Sequence, residues 1–187
     1  NQSGAGISAP FSTFYHNFLL SNFLSKEKNK SAREICSFNG DFDSIDLTQI
    51  SSNYFQRCKY APKCSTDEFI KRIPLTPWGR KSTADYRIVL RNMFNQSGER
   101  TLVAAIAPKG ATHIHPVFGI TSLSYPIIAV VAGTMASLIC DFYVKSTGKA
   151  SCGIDLVNSF FYIDYETNHP IVLRSLMLNC LNNYYDE

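Results

Sequence analysis

Apolar positions recur along the chain in short blocks separated by polar or turn-forming stretches, and their spacing assigns an element to each block. Residues 1–10, with Gly, Ser, Ala and Pro, read as a flexible lead-in. From Phe11 to Leu24 the apolar residues fall at Phe11, Phe14, Tyr15, Phe18, Leu19 and Phe23, which is helical spacing. A polar break follows from Lys26 to Lys30, Asn39-Gly40-Asp41 marks a turn, and Asp46 is placed to cap a short helix from Leu47. Asp67 to Leu75 alternates loosely and predicts a strand, ended by Pro74 and Pro77.

Ala84 to Phe94 predicts an amphipathic helix, with Tyr86, Val89, Leu90 and Met93 on one face and Arg87 and Arg91 one turn apart on another. Ser97-Gly98 stops it. Thr101 to Ala107 is apolar and β-branched and predicts a buried strand, ended by Pro108-Lys109-Gly110. His113 to Ile120 predicts a second strand or extended segment, interrupted by Pro116. Pro126 to Val144 predicts one long helix whose small residues (Ala129, Ala132, Gly133, Ala136, Ser137) let neighbours approach, with Ser146-Thr147-Gly148 as its end. Ile154 to Val157 and Phe160 to Ile163 predict short strands, and His169 to Asn183 a final helix with Pro170 in its first turn. The alternation of helix and strand gives an α/β or α+β class, with helices packed on a small mixed sheet. No internal repeat is visible.

Composition narrows the class. Apolar residues are 45% of the 187 and charged residues 18%, which is enough for a core and too little charge for a disordered chain. The net charge of +3 permits a nucleic-acid partner without arguing for one. The apolar run from Tyr125 to Tyr143 reaches membrane-span length, but it carries Ser, Thr, Gly, Cys and Asp and reads as a buried helix. No basic region followed by an apolar one marks a signal peptide. The six cysteines, Cys36, Cys58, Cys64, Cys140, Cys152 and Cys180, include no CxxC pair. That spacing disfavours zinc and suits a reducing cytoplasm. Cys140 and Cys180 read as buried thiols.

Candidate chemistry is sparse. No GxSxG, HExxH, Walker or EF-hand pattern occurs. His113 and His115 would share a face in a strand and reach a metal; otherwise they belong to a polar loop facing solvent, phosphate or a partner. Arg87, Arg91 and Arg100, with Arg80 and Lys81 upstream, form the densest basic region. It reads either as a solvated face or as a set of phosphate contacts. Glu99-Arg100-Thr101 also suits a local ion pair and cap where a helix passes into a strand. Trp78, the single tryptophan, reads as a core anchor or a base-stacking platform.

Two consecutive stretches carry a resemblance. Tyr86-Arg87-Ile88-Val89-Leu90-Arg91-Asn92-Met93, followed by Gly98-Glu99-Arg100-Thr101-Leu102-Val103-Ala104-Ala105-Ile106-Ala107-Pro108, resembles a signature of the large bacterial adenine-specific DNA methyltransferases of restriction-modification and phage-defence systems. In that family a "YRxxxRxM" piece precedes "ERTLIAAIxPxG", in the target-recognition region beyond the catalytic domain. Further pieces agree in order. Ala136 to Val144 resembles "NSxxxDFxxR", Gly148 to Ile163 the short segment after it, and Leu173 to Leu181 "RxLxLNCLT", with Tyr184 near the expected tyrosine. Lys145 follows where the family often has Arg, and Asn158-Ser159-Phe160 and Tyr162-Ile163-Asp164 replace a proline-rich end. The resemblance covers Ile73 to Glu187 and divides the chain into an unassigned, possible helical lobe at 1–72 and a target-recognition-like domain at 73–187.

No "NPPY" tetrapeptide and no glycine-rich cofactor turn after a strand accompany these pieces; Gly4-Ala5-Gly6 lacks the strand. The resemblance therefore implies a piece of a longer protein that holds double-stranded DNA and has no catalysis of its own. S-adenosylmethionine and the flipped adenine are expected on the catalytic domain of the same parent chain. The DNA contacts it implies are Arg80, Lys81, Arg87, Arg91, Arg100, Lys109, His113, His115, Lys145 and Lys149, with the Lys109–Pro116 loop as the reader. Two other readings stand beside it. One is a protein-interaction module docking on a methyltransferase or partner subunit without reading DNA. The other is a metal-dependent nuclease, for which only Asp41, Asp43 and Asp46 lie close in sequence.

Overall fold

The structure is a computed structural model, and it describes residues 26–28, 42–44, 46, 49, 51–54, 64–113, 116–161, 163 and 169–186. The expected lead-in, the helix from Phe11 to Leu24 and the turn at Asn39-Gly40-Asp41 lie outside the described residues, as does Leu47. Within the first 72 residues β1 (Lys26–Lys28) pairs antiparallel with β2 (Phe42–Ser44).

The stretch expected as a strand at 67–75 is instead the helix α1 (Thr66–Lys71). The reason is its entry. Ser65 accepts a hydrogen bond from the Glu68 N–H at 3.4 Å, and Ser65-Thr66-Asp67-Glu68 has the spacing of a capping box. Arg72 then pairs with Glu68 at 2.7 Å across one turn.

The helix expected at 84–94 is instead the strand β3 (Arg87–Arg91), the centre of a three-stranded sheet in the order β4-β3-β5. Here β4 is Ala104–Ala107 and β5 is Val117–Thr121, and both run antiparallel to β3. Ile88 and Leu90 point to one face, Arg87, Val89 and Arg91 to the other. Because both faces are covered, residues 87–90 are all buried, and a strand buried on both sides shows no alternation. The expected strand at 101–107 contains β4, and that at 113–120 overlaps β5, which starts just past Pro116.

The single helix expected from Pro126 to Val144 is two, α2 (Tyr125–Met135) and α3 (Leu138–Thr147), bent by 63° at the break. Ser137 makes the break: its hydroxyl accepts from the Cys140 N–H at 3.2 Å and starts a new helix. Gly148, at φ +65°, closes α3 in the left-handed conformation that suits glycine. Where strands were expected at 154–157 and 160–163 the chain forms the short helix α4 (Ile154–Asn158), entered from Gly153, and residues 160, 161 and 163 lie outside any strand. The last helix, α5, spans His169–Asn179 and is followed by a 3-10 turn at Asn183–Tyr185. The fold is thus α+β, with helices packed on a small sheet that is antiparallel throughout.

One sheet face (Ile88, Leu90, Ala104, Ile106) packs with Leu102 against Ile128, Ala132 and Met135 of α2, Cys140 and Val144 of α3, and Leu156 and Val157 of α4. The other face (Val89, Ala105, Ala107, Val117) meets Ala111 and Phe69 of α1. Among the described residues no single helix is long and apolar enough to cross a membrane. The inner side of α2 is buried as expected, whereas α3 exposes Leu138, Ile139 and Phe142.

Cys152 sits in the main core, where burial, and then the nearby Asp155 carboxylate, push its thiol up to about 11 from 9.0. A raised thiol favours the neutral form in the folded chain. Its contribution to stability is therefore full below pH 9.0 and lost as pH rises through about 11. Cys152→Ala is expected to flatten the alkaline fall of the melting temperature over that window; an unchanged alkaline limb would count against this burial.

Candidate nucleic-acid interface

The antiparallel register divides the basic residues between two ends of the sheet. At one end Arg87 lies across from Ala107 and Thr121, and at the other Arg91 lies across from Val117.

The Arg91 end is a frame of hydrogen bonds to main chain. Arg91 Nη2 donates to the carbonyls of Arg100 at 3.2 Å and Thr101 at 3.0 Å. Arg100 Nη2 donates to the Ala136 carbonyl at 2.6 Å, at the end of α2, where the helix dipole favours a cation. Its Nε lies 3.5 Å from Asp141 Oδ2. Asp141 Oδ1, from α3, accepts the N–H groups of Thr101 at 2.8 Å and Leu102 at 2.6 Å. The local ion pair and cap expected where a helix passes into a strand give way, because no helix precedes β4, to the Arg100–Asp141 pair, which joins the chain entering β4 to the α2–α3 break. Lys145 Nζ donates to the Gly98 carbonyl at 3.1 Å, and Lys149 pairs with Asp155.

β4 is an edge strand, and its outward polar groups would be unpaired without such partners. Leu102 N–H goes to Asp141, Ile106 N–H donates to Asn179 Oδ1 of α5 at 3.0 Å, and the Ile106 carbonyl accepts from Tyr185 OH at 2.8 Å. Sequence reasoning passed over Asp141, Asn179 and Tyr185 as chemistry. The signal available was their place inside the family-like pieces, or just after the last of them.

The opposite end carries a cation-and-aromatic platform, half-buried except at Tyr125 and Arg80. Lys109 Nζ sits 5.1 Å from the centroid of the Tyr86 ring and 5.7 Å from that of Tyr125. The two rings meet edge to face at 5.2 Å, and Tyr185 stacks on Tyr86 at 6.2 Å. Tyr125 OH donates to Asp85 Oδ1 at 3.3 Å, and Arg80 Nη1 pairs with the same oxygen at 3.0 Å. The Asp85 side chain is 5% exposed and that of Arg80 55%, so the arginine faces outward over a buried carboxylate. Burial, then the charge on Asp85, raises the Tyr125 phenol above its ordinary value and keeps it a donor. Tyr86, raised first by burial, donates to the Tyr185 carbonyl at 3.1 Å. Lys81 Nζ donates to the Ile70 carbonyl at the end of α1. Trp78 is half-buried and belongs to neither apolar cluster.

The turn at 108–113 leaves from this platform. Gly110, at φ +79°, donates its N–H to the Thr83 carbonyl at 2.8 Å. Arg87 is 2% exposed and its Nη2 donates to the Ala111 carbonyl, so it faces the turn and not solvent. The His113 imidazole lies over Gly119, its Nε2 2.7 Å from where a Cβ on that residue would stand, which explains a glycine in β5. His115 lies outside the described residues. The structure thus brings Arg80 and Lys109 together with Tyr86, Tyr125 and Asp85. It leaves Arg91, Arg100, Lys145 and Lys149 at or near the other end. Among the described residues no group of three or more His, Cys, Asp or Glu side chains is placed to hold a metal ion.

No protein-family model, no curated protein and no solved structure matches the chain.

Proposed function

We propose that this chain is the DNA-contacting, target-recognition portion of an adenine-specific DNA methyltransferase of the restriction-modification or phage-defence kind. The observation that carries the reading is the platform in which Lys109 lies over Tyr86 and Tyr125 beside the Arg80–Asp85 pair, from which the 108–113 turn projects. Cations beside aromatic rings suit phosphate oxygens and base faces. The family-like stretches support the same reading as a unit. Tyr86–Met93, Gly98–Pro108, Ala136–Val144 and Leu173–Leu181 are joined through Arg91, Arg100, Asp141 and Asn179 in one frame around β3 and β4. On this reading these residues hold the sheet while the platform meets DNA. S-adenosylmethionine and methyl transfer to a flipped adenine belong to a catalytic domain of the same parent chain, in the cytoplasm.

Binding to a short duplex, followed by fluorescence anisotropy at stepped salt, tests this. Affinity is expected to fall linearly with log salt, with a slope near −0.9 per phosphate contacted. Lys109→Ala and Arg80→Ala should each make the slope shallower by about one. A wild-type chain that ignores duplex at low salt would overturn the reading.

A second reading has its own observation. Leu138, Ile139 and Phe142 on α3 are 72%, 67% and 74% exposed, and Leu173 and Met177 on α5 are 60% and 65% exposed. Apolar faces of that kind suit a protein partner and favour a docking module that need not read DNA.

A further inference from the structure

Arg87 is a buried cation with a poor partner. Its side chain comes from the central strand, is 2% exposed, and bonds through Nη2 to the neutral carbonyl of Ala111. Its Nε, the other arm of the same side of the guanidinium fork, is buried and without a hydrogen-bond partner. Among the described residues no carboxylate pairs with it, and its cross-strand neighbours, Ala107 and Thr121, bring no charge. The Thr112 hydroxyl, one residue beyond the carbonyl that Arg87 holds, is likewise buried and unpartnered. Burial alone pulls the guanidinium down to about 10, the mark of a cation short of counter-charge.

A guanidinium fork is matched by two oxygens of one oxyanion, not by one carbonyl. We propose that Arg87 and the 108–113 turn form a latched phosphate site. In the closed state the Ala111 carbonyl occupies one arm of the fork. When that carbonyl rotates away, a phosphate group takes both Nε and Nη2 together with the Thr112 hydroxyl. The rest of the turn is held, by the Gly110 N–H bond to Thr83, by Lys109 over Tyr86 and Tyr125 and by Ala111 in the apolar cluster on that sheet face, so the change is confined to the Ala111–Thr112 peptide. Phosphate shifts the latch because it binds the displaced state and not the closed one. The site does not depend on the duplex reading: free phosphate and a DNA backbone phosphate present the same oxygens.

Inorganic phosphate, titrated at constant ionic strength against chloride, tests the site by thermal shift and amide exchange. The wild-type chain is expected to show a saturable rise in melting temperature, with faster exchange at the Thr112 amide, in the peptide that carries the latch carbonyl. Arg87→Met, which removes the charge but keeps bulk, should lose the phosphate response while melting no lower than wild type without phosphate. Thr112→Val, which keeps the arginine, should weaken phosphate binding severalfold. A wild type with no saturable response overturns the site, as does either variant responding like wild type. A short duplex that competes with inorganic phosphate identifies the backbone as the source. A duplex that binds without competing, or fails to bind while phosphate still does, leaves a site for free phosphate and separates this assignment from the duplex reading.

Discussion

Asp141→Ala is expected to destabilise the chain by about 3–5 kcal/mol, a large share of the stability of a domain this size. One carboxylate oxygen accepts the N–H groups of Thr101 and Leu102, and the other lies beside Arg100. Thr101 and Leu102 are 0% and 1% exposed, so water cannot replace the lost acceptor. The deletion also leaves Arg100, 13% exposed, without its counter-charge. Asp141→Asn keeps one acceptor for the two N–H groups and should lose less. Urea unfolding measures both; a loss below about 1 kcal/mol for the alanine variant would show that the frame is not what seats β4 against the α2–α3 break.

Gly133→Val is expected to cost about 1–3 kcal/mol through overpacking. Gly133 lies on the side of α2 that faces α5. A Cβ there would stand 2.7 Å from Ile171 Cγ2, 3.3 Å from Ser175 Cβ and 3.4 Å from the Ile171 carbonyl. Valine's gain over glycine in helix propensity is only a few tenths of a kcal/mol and does not offset that. Because α5 carries Asn179, whose side chain accepts the Ile106 N–H, pushing α5 away should also loosen the β4 edge. Faster amide exchange at Ile106 together with the stability loss is the expected signature. A valine variant as stable as wild type would mean that α2 and α5 can separate freely.

The parts legible in the sequence are those with one clean environment. Thr101–Ala107 is a continuous apolar run and contains β4; His169 onward is a helix opened by Pro170. What misled was ambiguity of period. Tyr86, Val89, Leu90 and Met93 fit a helical stripe, yet Ile88 and Leu90 against Arg87, Val89 and Arg91 fit a strand buried on both sides, and the sheet decided between them. The break at Ser137 and the cap at Ser65 were readable as local chemistry but were outweighed by apolar length in one case and loose alternation in the other. The basic residues were identifiable by type and not by direction. In the helix reading Arg87 and Arg91 share a solvent face. In β3 they lie on the sheet face toward α1, where they tie down carbonyls. Tyr86 and Tyr125, 39 positions apart, meet only because β3 and the start of α2 come to the same end of the sheet.

The central claim is that one end of the sheet meets DNA while the other holds the fold. Amide exchange with and without a short duplex tests it most directly. The account predicts slowed exchange around Arg80–Tyr86, the residues flanking Lys109 and the start of α2, with the outer faces of α3 and α5 unchanged. Protection confined to α3 and α5, or no protection at a duplex concentration that saturates binding, would contradict it.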